Sequence, residues 1–173
     1  MTADLPTITR GGAVLSNDRD YRYVLYRVFD TSKPMLGFCG TNPSTADEHE
    51  DDNTIRVMLR RAIAWGYGSL LVVNCFAWRE TDSTQLRDRI LDGVDIVGPE
   101  NNEHLRDVAQ RVTASGGMMV AGWGKAGNLI GRGPRVLEIL RAAGGQVYAL
   151  KVNHDGSPQH PLYISMATKP VLL

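Results

Sequence analysis

The sequence predicts a three-layer α/β/α domain, with a mainly parallel four-stranded core sheet and an N-terminal β-hairpin. Short, nearly continuous apolar runs at residues 35–39, 69–76, 118–121 and 146–152 read as parallel strands covered on both faces. The segments between them carry apolar residues at helical spacing. Glycine pairs at Gly116-Gly117 and Gly144-Gly145 mark where helices stop and the next strand begins.

In chain order, residues 13–16 and 21–29 are β-rich and flank the turn Asn17-Asp18-Arg19-Asp20, a hairpin signature within residues 11–30. The strand at 35–39 opens a core that runs to residue 165. An acidic connector at 47–52 follows, and Asp52 or Asn53 is placed to cap a helix. That helix has its stripe on Ile55, Met58, Leu59, Ala62 and Ile63, with Arg56, Arg60 and Arg61 mostly off it. Gly66 and Gly68 end the helix before the second strand. Residues 79–99 are polar, with a short helix near 86–91, and Pro99 stands where the next helix starts, with its stripe on Leu105, Val108, Ala109 and Val112. After the third strand, 131–134 leads into a helix bearing Val136, Leu137, Ile139 and Leu140. The tail from 153 to 164 reads as loop. The pattern β-β, then β-α-β-α-β-α-β, fits one domain over residues 1–173.

Composition narrows the function classes. The 173 residues are 43% hydrophobic and 22% charged, as in a soluble globular protein. Nineteen basic and nineteen acidic side chains cancel, so no global positive field draws the chain to a polyanion. Cys39 and Cys75 sit singly in apolar strands and read as buried thiols. No apolar run approaches a membrane span and no signal-like segment opens the chain, which points to a cytoplasmic protein without membrane partners.

The strand ends carry the chemistry. Gly40-Thr41-Asn42-Pro43-Ser44-Thr45 follows the first core strand, Asn74 ends the second, and Gly122-Trp123-Gly124 ends the third. In open α/β sheets this carboxyl edge is where ligands bind. Asn42 is either a ligand- or water-orienting amide or a turn residue. Asn74, directly after four apolar residues, needs partners for its amide, from the backbone or from the edge of a planar ligand. His154 and His160 flank a Gly/Pro-rich loop, where each is either an imidazole that can donate to a developing anion or an ordinary loop histidine. Trp123 is a stacking residue or a packed core residue. The acidic run with His49 lacks metal-site spacing and reads as a capping loop, Asp47 being the carboxylate nearest Asn42.

Together these strand ends resemble the uracil-DNA glycosylase superfamily. The resemblance rests on Gly40-Thr41-Asn42-Pro43, on Leu71-Val72-Val73-Asn74, on Trp123-Gly124-Lys125-Ala126 and on His160-Pro161, in order over residues 35–165. More closely, Asn42-Pro43-Ser44-Thr45-Ala46-Asp47, Asp51-Asp52-Asn53-Thr54-Ile55-Arg56, Val97-Gly98-Pro99-Glu100-Asn101 and His160-Pro161-Leu162-Tyr163 are similar to the hallmarks of the domain-of-unknown-function family numbered 1643. Uracil-excising members carry Asp where Asn42 stands, and Leu162-Tyr163-Ile164-Ser165 replaces their Ser-Pro-Ser backbone clamp.

The resemblance implies a hydrolase of N-glycosidic bonds acting on DNA or a nucleotide-like ligand, with no metal and no cofactor. Asn42, Asp47 and His160 would be catalytic. Gly40, Thr41, Pro43, Ser44, Asn74, Trp123, Gly124 and Tyr163 would bind substrate. A noncatalytic nucleic-acid or nucleotide-binding module is the alternative. A metal-assisted phosphohydrolase using Asp47, Asp51 and Asp52 is a third reading.

Overall fold

A computed structural model of the chain describes residues 7–44, 46 and 49–173. It is a mixed α/β structure built on a seven-stranded sheet. The strands are β1 (Arg10–Leu15), β2 (Arg22–Val28), β3 (Met35–Gly40), β4 (Ser69–Asn74), β5 (Met118–Ala121), β6 (Val147–Ala149) and β7 (Val171–Leu172). The α-helices among the described residues are α1 (Asn53–Ala64), α2 (Leu86–Leu91), α3 (Asn101–Ala114) and α4 (Arg132–Ala142).

The sheet order is β1-β2-β4-β3-β5-β6-β7. β3 lies parallel to both β4 and β5, and β5 parallel to β6. The hairpin does not stand apart from this group, because β2 pairs antiparallel with β4. Its loop is closed by Ser16, whose Oγ donates to Asp18 and accepts from the Tyr21 amide. At the far edge the short β7 pairs antiparallel with β6. Sequence periodicity gave no sign of β7, which has only two residues.

Alternation along the strands divides the core in two. Cys39, Leu71, Val73, Met119 and Ala121 pack with the stripes of α3 and α4. Leu36, Phe38, Leu70, Val72 and Val120 pack with Ile55, Met58, Leu59 and Ala62 of α1 on the opposite face. This is the period-two burial expected of strands covered on both sides.

α1 starts where its chemistry directs. Asp52 is the N-cap, its carboxylate accepting from the Ile55 amide at 2.9 Å, an arrangement that satisfies one orphan donor of the first turn. Arg61 corrects the expectation that the helix arginines lie off the stripe. It is fully buried, and its Nη2 donates to the carbonyls of Ile164 at 2.8 Å and Ser165 at 3.1 Å. The segment after the last core strand is therefore strapped to α1.

Two glycines are needed for close approach. A Cβ on Gly68 would lie 1.8 Å from the Asp30 carbonyl oxygen, and one on Gly117 would lie 1.9 Å from that of Met35. Both positions join the loop before a strand to a neighbouring chain segment.

Candidate functional site

β3 and β4 run in register, so Gly40 lies opposite Asn74 at their carboxyl ends. A cavity of about 670 Å³ opens there. Its walls are these strand ends, the first turn of α1, residues 80–83 and the His160–Tyr163 segment. Phe38, Val72 and Ile55 line it as apolar side chains, and all three belong to the core on the α1 side of the sheet.

Asn74 is the best-defined polar group in the cavity wall. It is only 4% exposed, and its Nδ2 has no hydrogen-bond partner among the described residues. Leaving a buried donor unsatisfied costs about 1–3 kcal/mol. Its backbone, by contrast, is held firmly. The Asn101 side chain, fully buried at the start of α3, donates to the carbonyls of Asn74 at 3.1 Å and Cys75 at 3.0 Å. Arg132 Nε donates to the same Cys75 carbonyl at 2.7 Å. Gly40 gives the amide room, because a Cβ there would lie 2.8 Å from Asn74 Oδ1.

Asn42 lies in the wall with its donor already used. Its Nδ2 donates to the Glu80 carbonyl at 2.6 Å and the Pro43 carbonyl at 3.0 Å, while the Glu80 amide donates back to Pro43. The amide thus stitches the 41–44 turn to the 80–83 segment, leaving Oδ1 as the atom it can offer a ligand. Thr41 also lines the cavity and donates to the Trp123 carbonyl at 2.6 Å.

His160 also lines the cavity. Burial pushes its pKa below the ordinary 6.5, while the nearby Asp52 carboxylate pulls it back up. The imidazole is therefore biased toward its neutral form, which keeps one N–H to donate.

Of the residues singled out from the sequence, the cavity brings together Gly40, Thr41, Asn42, Ser44, Asn74, His160 and Tyr163. Tyr163 stands at the rim, 86% exposed. Trp123, Gly124 and Pro43 lie outside the lining. Trp123 is 2% exposed and packs in the core formed with α3 and α4, and Gly124 donates to the Pro158 carbonyl at 2.8 Å. Pro43 is buried and contributes its carbonyl to the Asn42 stitch. Asp47 lies outside the described residues.

Further side chains enter the cavity wall, charged and aromatic ones among them. Arg22 is buried and donates to the Ala46 carbonyl. Asp52 was legible as a helix cap, but its place in the wall was not. Glu80 binds Arg89 at 3.1 Å. The Asp82 carboxylate accepts from the Thr84 amide and hydroxyl, and these bonds hold its pKa below the usual range. Phe38, buried in the core on the α1 side, places a second aromatic ring in the lining beside Tyr163. Arg22, Glu80 and Asp82 lack a local signal because each reaches the cavity through tertiary packing. Among the described residues no group of three or more His, Cys, Asp or Glu side chains is placed to hold a metal ion. No described helix is long and apolar enough to cross a membrane.

A family model described as protein of unknown function (DUF1643) matches residues 22–162, from the start of β2 to the cavity rim. The chain belongs to the DUF1643 family. The matched span of this DUF1643 protein holds both strand ends, the α1 cap, the 80–83 segment and His160. Searches of curated proteins and of solved structures return no match.

Proposed function

We propose that this cavity reads the edge of a nucleobase and that the protein hydrolyses an N-glycosidic bond. Its substrate would be a modified or mispaired base in DNA, or a nucleotide-like relative. The observation that carries the reading is the Asn74 amide, buried in the cavity wall with its donor unmatched. A side-chain amide offers a donor and an acceptor in one plane, the pattern that a base edge complements. Phe38 adds an aromatic surface to the same cavity.

In such a reaction the C1′–N bond breaks with its electron pair going to the base, water's oxygen bonds to C1′, and one water proton passes through solvent to the departing base. The neutral His160 imidazole donates a hydrogen bond to the departing base. Asn42 Oδ1 accepts from the water and positions it. A base within a duplex must first leave the stack, at a cost of a few kcal/mol. The uracil-DNA glycosylase resemblance of the strand-end motifs supports this assignment of roles.

A specific observation favours a second reading, a noncatalytic nucleobase-binding module. The Asn42 donor is spent on Glu80 and Pro43, as expected of a residue that shapes a loop. Base-release assays across damaged and hypermodified nucleosides and oligonucleotides, run beside binding measurements, separate the two. Release that Asn74→Ala abolishes supports the hydrolase. Binding that depends on Asn74 without turnover selects the module. No binding and no release across the panel overturns both.

A further inference from the structure

The sign of the charge in the cavity wall bears on which nucleobase it accepts. Among the described residues, the carboxylates of Asp52, Glu80 and Asp82 line it, beside the guanidinium of Arg22. Arg22 is directed to the Ala46 carbonyl. Glu80 is partly neutralised by Arg89, and Asp52 shares its charge with the first turn of α1. His160, biased to its neutral form, adds no compensating cation. A wall of this sign repels a phosphate placed inside it and attracts a cation. The unmatched Asn74 donor independently marks the same cavity as built for a ligand with a hydrogen-bond acceptor.

We infer that the preferred ligand is a cationic nucleobase, an N-alkylated purine carrying a carbonyl for the Asn74 amide, with its phosphates left outside the cavity. This rests on the nucleobase reading above and narrows its substrate class. The carboxylates favour the base's positive charge, and the base carbonyl accepts from Asn74 Nδ2. Hydrolysis of such a nucleoside balances simply. The C1′–N bond breaks and its electron pair neutralises the base. Water's oxygen bonds to C1′, and one proton passes to solvent. Because the leaving base is neutral, no acid has to protonate it, which suits an imidazole held in its neutral form.

Binding of the 7-methylguanosine cation, guanosine and 7-methylguanosine 5′-monophosphate to the full chain tests the inference by titration calorimetry. The cationic nucleoside is expected to bind at least tenfold more tightly than guanosine, with the monophosphate weaker than its nucleoside. The double substitution Asp52→Asn, Asp82→Asn removes two charges and keeps both caps, since Asn caps as well as Asp. It should reduce that preference to about threefold or less, with circular dichroism confirming the fold. Equal binding of cation and guanosine, or a preference untouched by the double substitution, overturns the cationic assignment and leaves the nucleobase reading standing. Absence of binding by any of the three nucleosides and nucleotides removes the inference. The wider base-release panel then decides the nucleobase reading separately.

Discussion

Substituting Gly40 by alanine separates the fold from the site. A Cβ built there lies 2.8 Å from Asn74 Oδ1 and 3.3 Å from Phe38 Cε1, whereas ordinary contact starts near 3.4 Å. The Asn74 amide must therefore retreat by about 0.6 Å, in a wall where the residue is 4% exposed and its backbone carbonyl is held by Asn101. Turning a buried side chain off its rotamer costs about 0.5–1.5 kcal/mol, and crowding brings the total to about 1–2 kcal/mol. For a domain of this size that is a fall in Tm of about 3–7 °C. If Asn74 reads a base edge as proposed, a displaced amide loses that contact, and nucleoside affinity should fall about tenfold to a hundredfold. Gly37→Ala is the control, because its Cβ meets Met119 Sδ and Val112 Cγ2 in the core on the other side of the sheet. It should lower Tm without changing affinity. Calorimetric Tm values and ligand titrations on both variants check the argument. A Gly40→Ala protein with lowered Tm and wild-type affinity would refute the role given to Asn74.

Arg61→Met keeps an apolar stem and removes both bonds to the Ile164 and Ser165 carbonyls. Removing a desolvated charge offsets the orphaned carbonyls, so Tm should move by less than about 5 °C. Hydrogen exchange at the Ile164 and Thr168 amides should nevertheless quicken. Cys39 and Cys75 are both fully buried free thiols, and burial beside Cys39 pushes the Cys75 thiol up. A thiol reagent should label neither in the native protein and both in denaturant; native labelling would indicate an opening of the β3–β4 ends. His160 makes stability depend on pH. Its folded pKa lies below 6.5, chiefly through burial, so the unfolded chain binds the extra proton first. The stability it contributes is present above about 6.5 and is lost as pH falls through the lowered folded value. Thermal melts across that range should show the decline in the wild type and a weaker one in His160→Asn.

The mixed α/β plan was legible because it is written in local periodicity. The apolar runs at 35–39 and 118–121, the stripe of α1 and the Asp52 cap all act within a few residues of themselves. Arg61 departs from the expected pattern because a lone charge on a helix normally faces water, whereas here distant carbonyls receive it. The strand expected over 146–152 covers only Val147–Ala149, and Val152 pairs instead with Pro158 in an isolated bridge. At the site, Gly40, Asn42, Asn74 and His160 announced themselves as polar or special residues at strand ends and in the last loop. Arg22, Glu80 and Asp82 did not, because a charged residue in a hairpin or polar stretch looks like any solvated one. Trp123 shows the reverse case, a conspicuous residue beside a glycine whose ring belongs to the core.

The hairpin has a consequence for solubility. The family match begins at residue 22, the first residue of β2, so β1 lies outside it. Yet β1 covers the outer ladder of β2 from Arg10 opposite Val28 to Leu15 opposite Arg22. A chain trimmed to the matched span would bare that ladder along a strand containing Val24, Leu25 and Val28. An exposed apolar edge of this kind recruits strands from other molecules. β1 is a poorer template in its place, beginning with an arginine and two glycines. The first strand thus acts as a built-in guard against self-association, and a shortened protein should precipitate before it loses its helices.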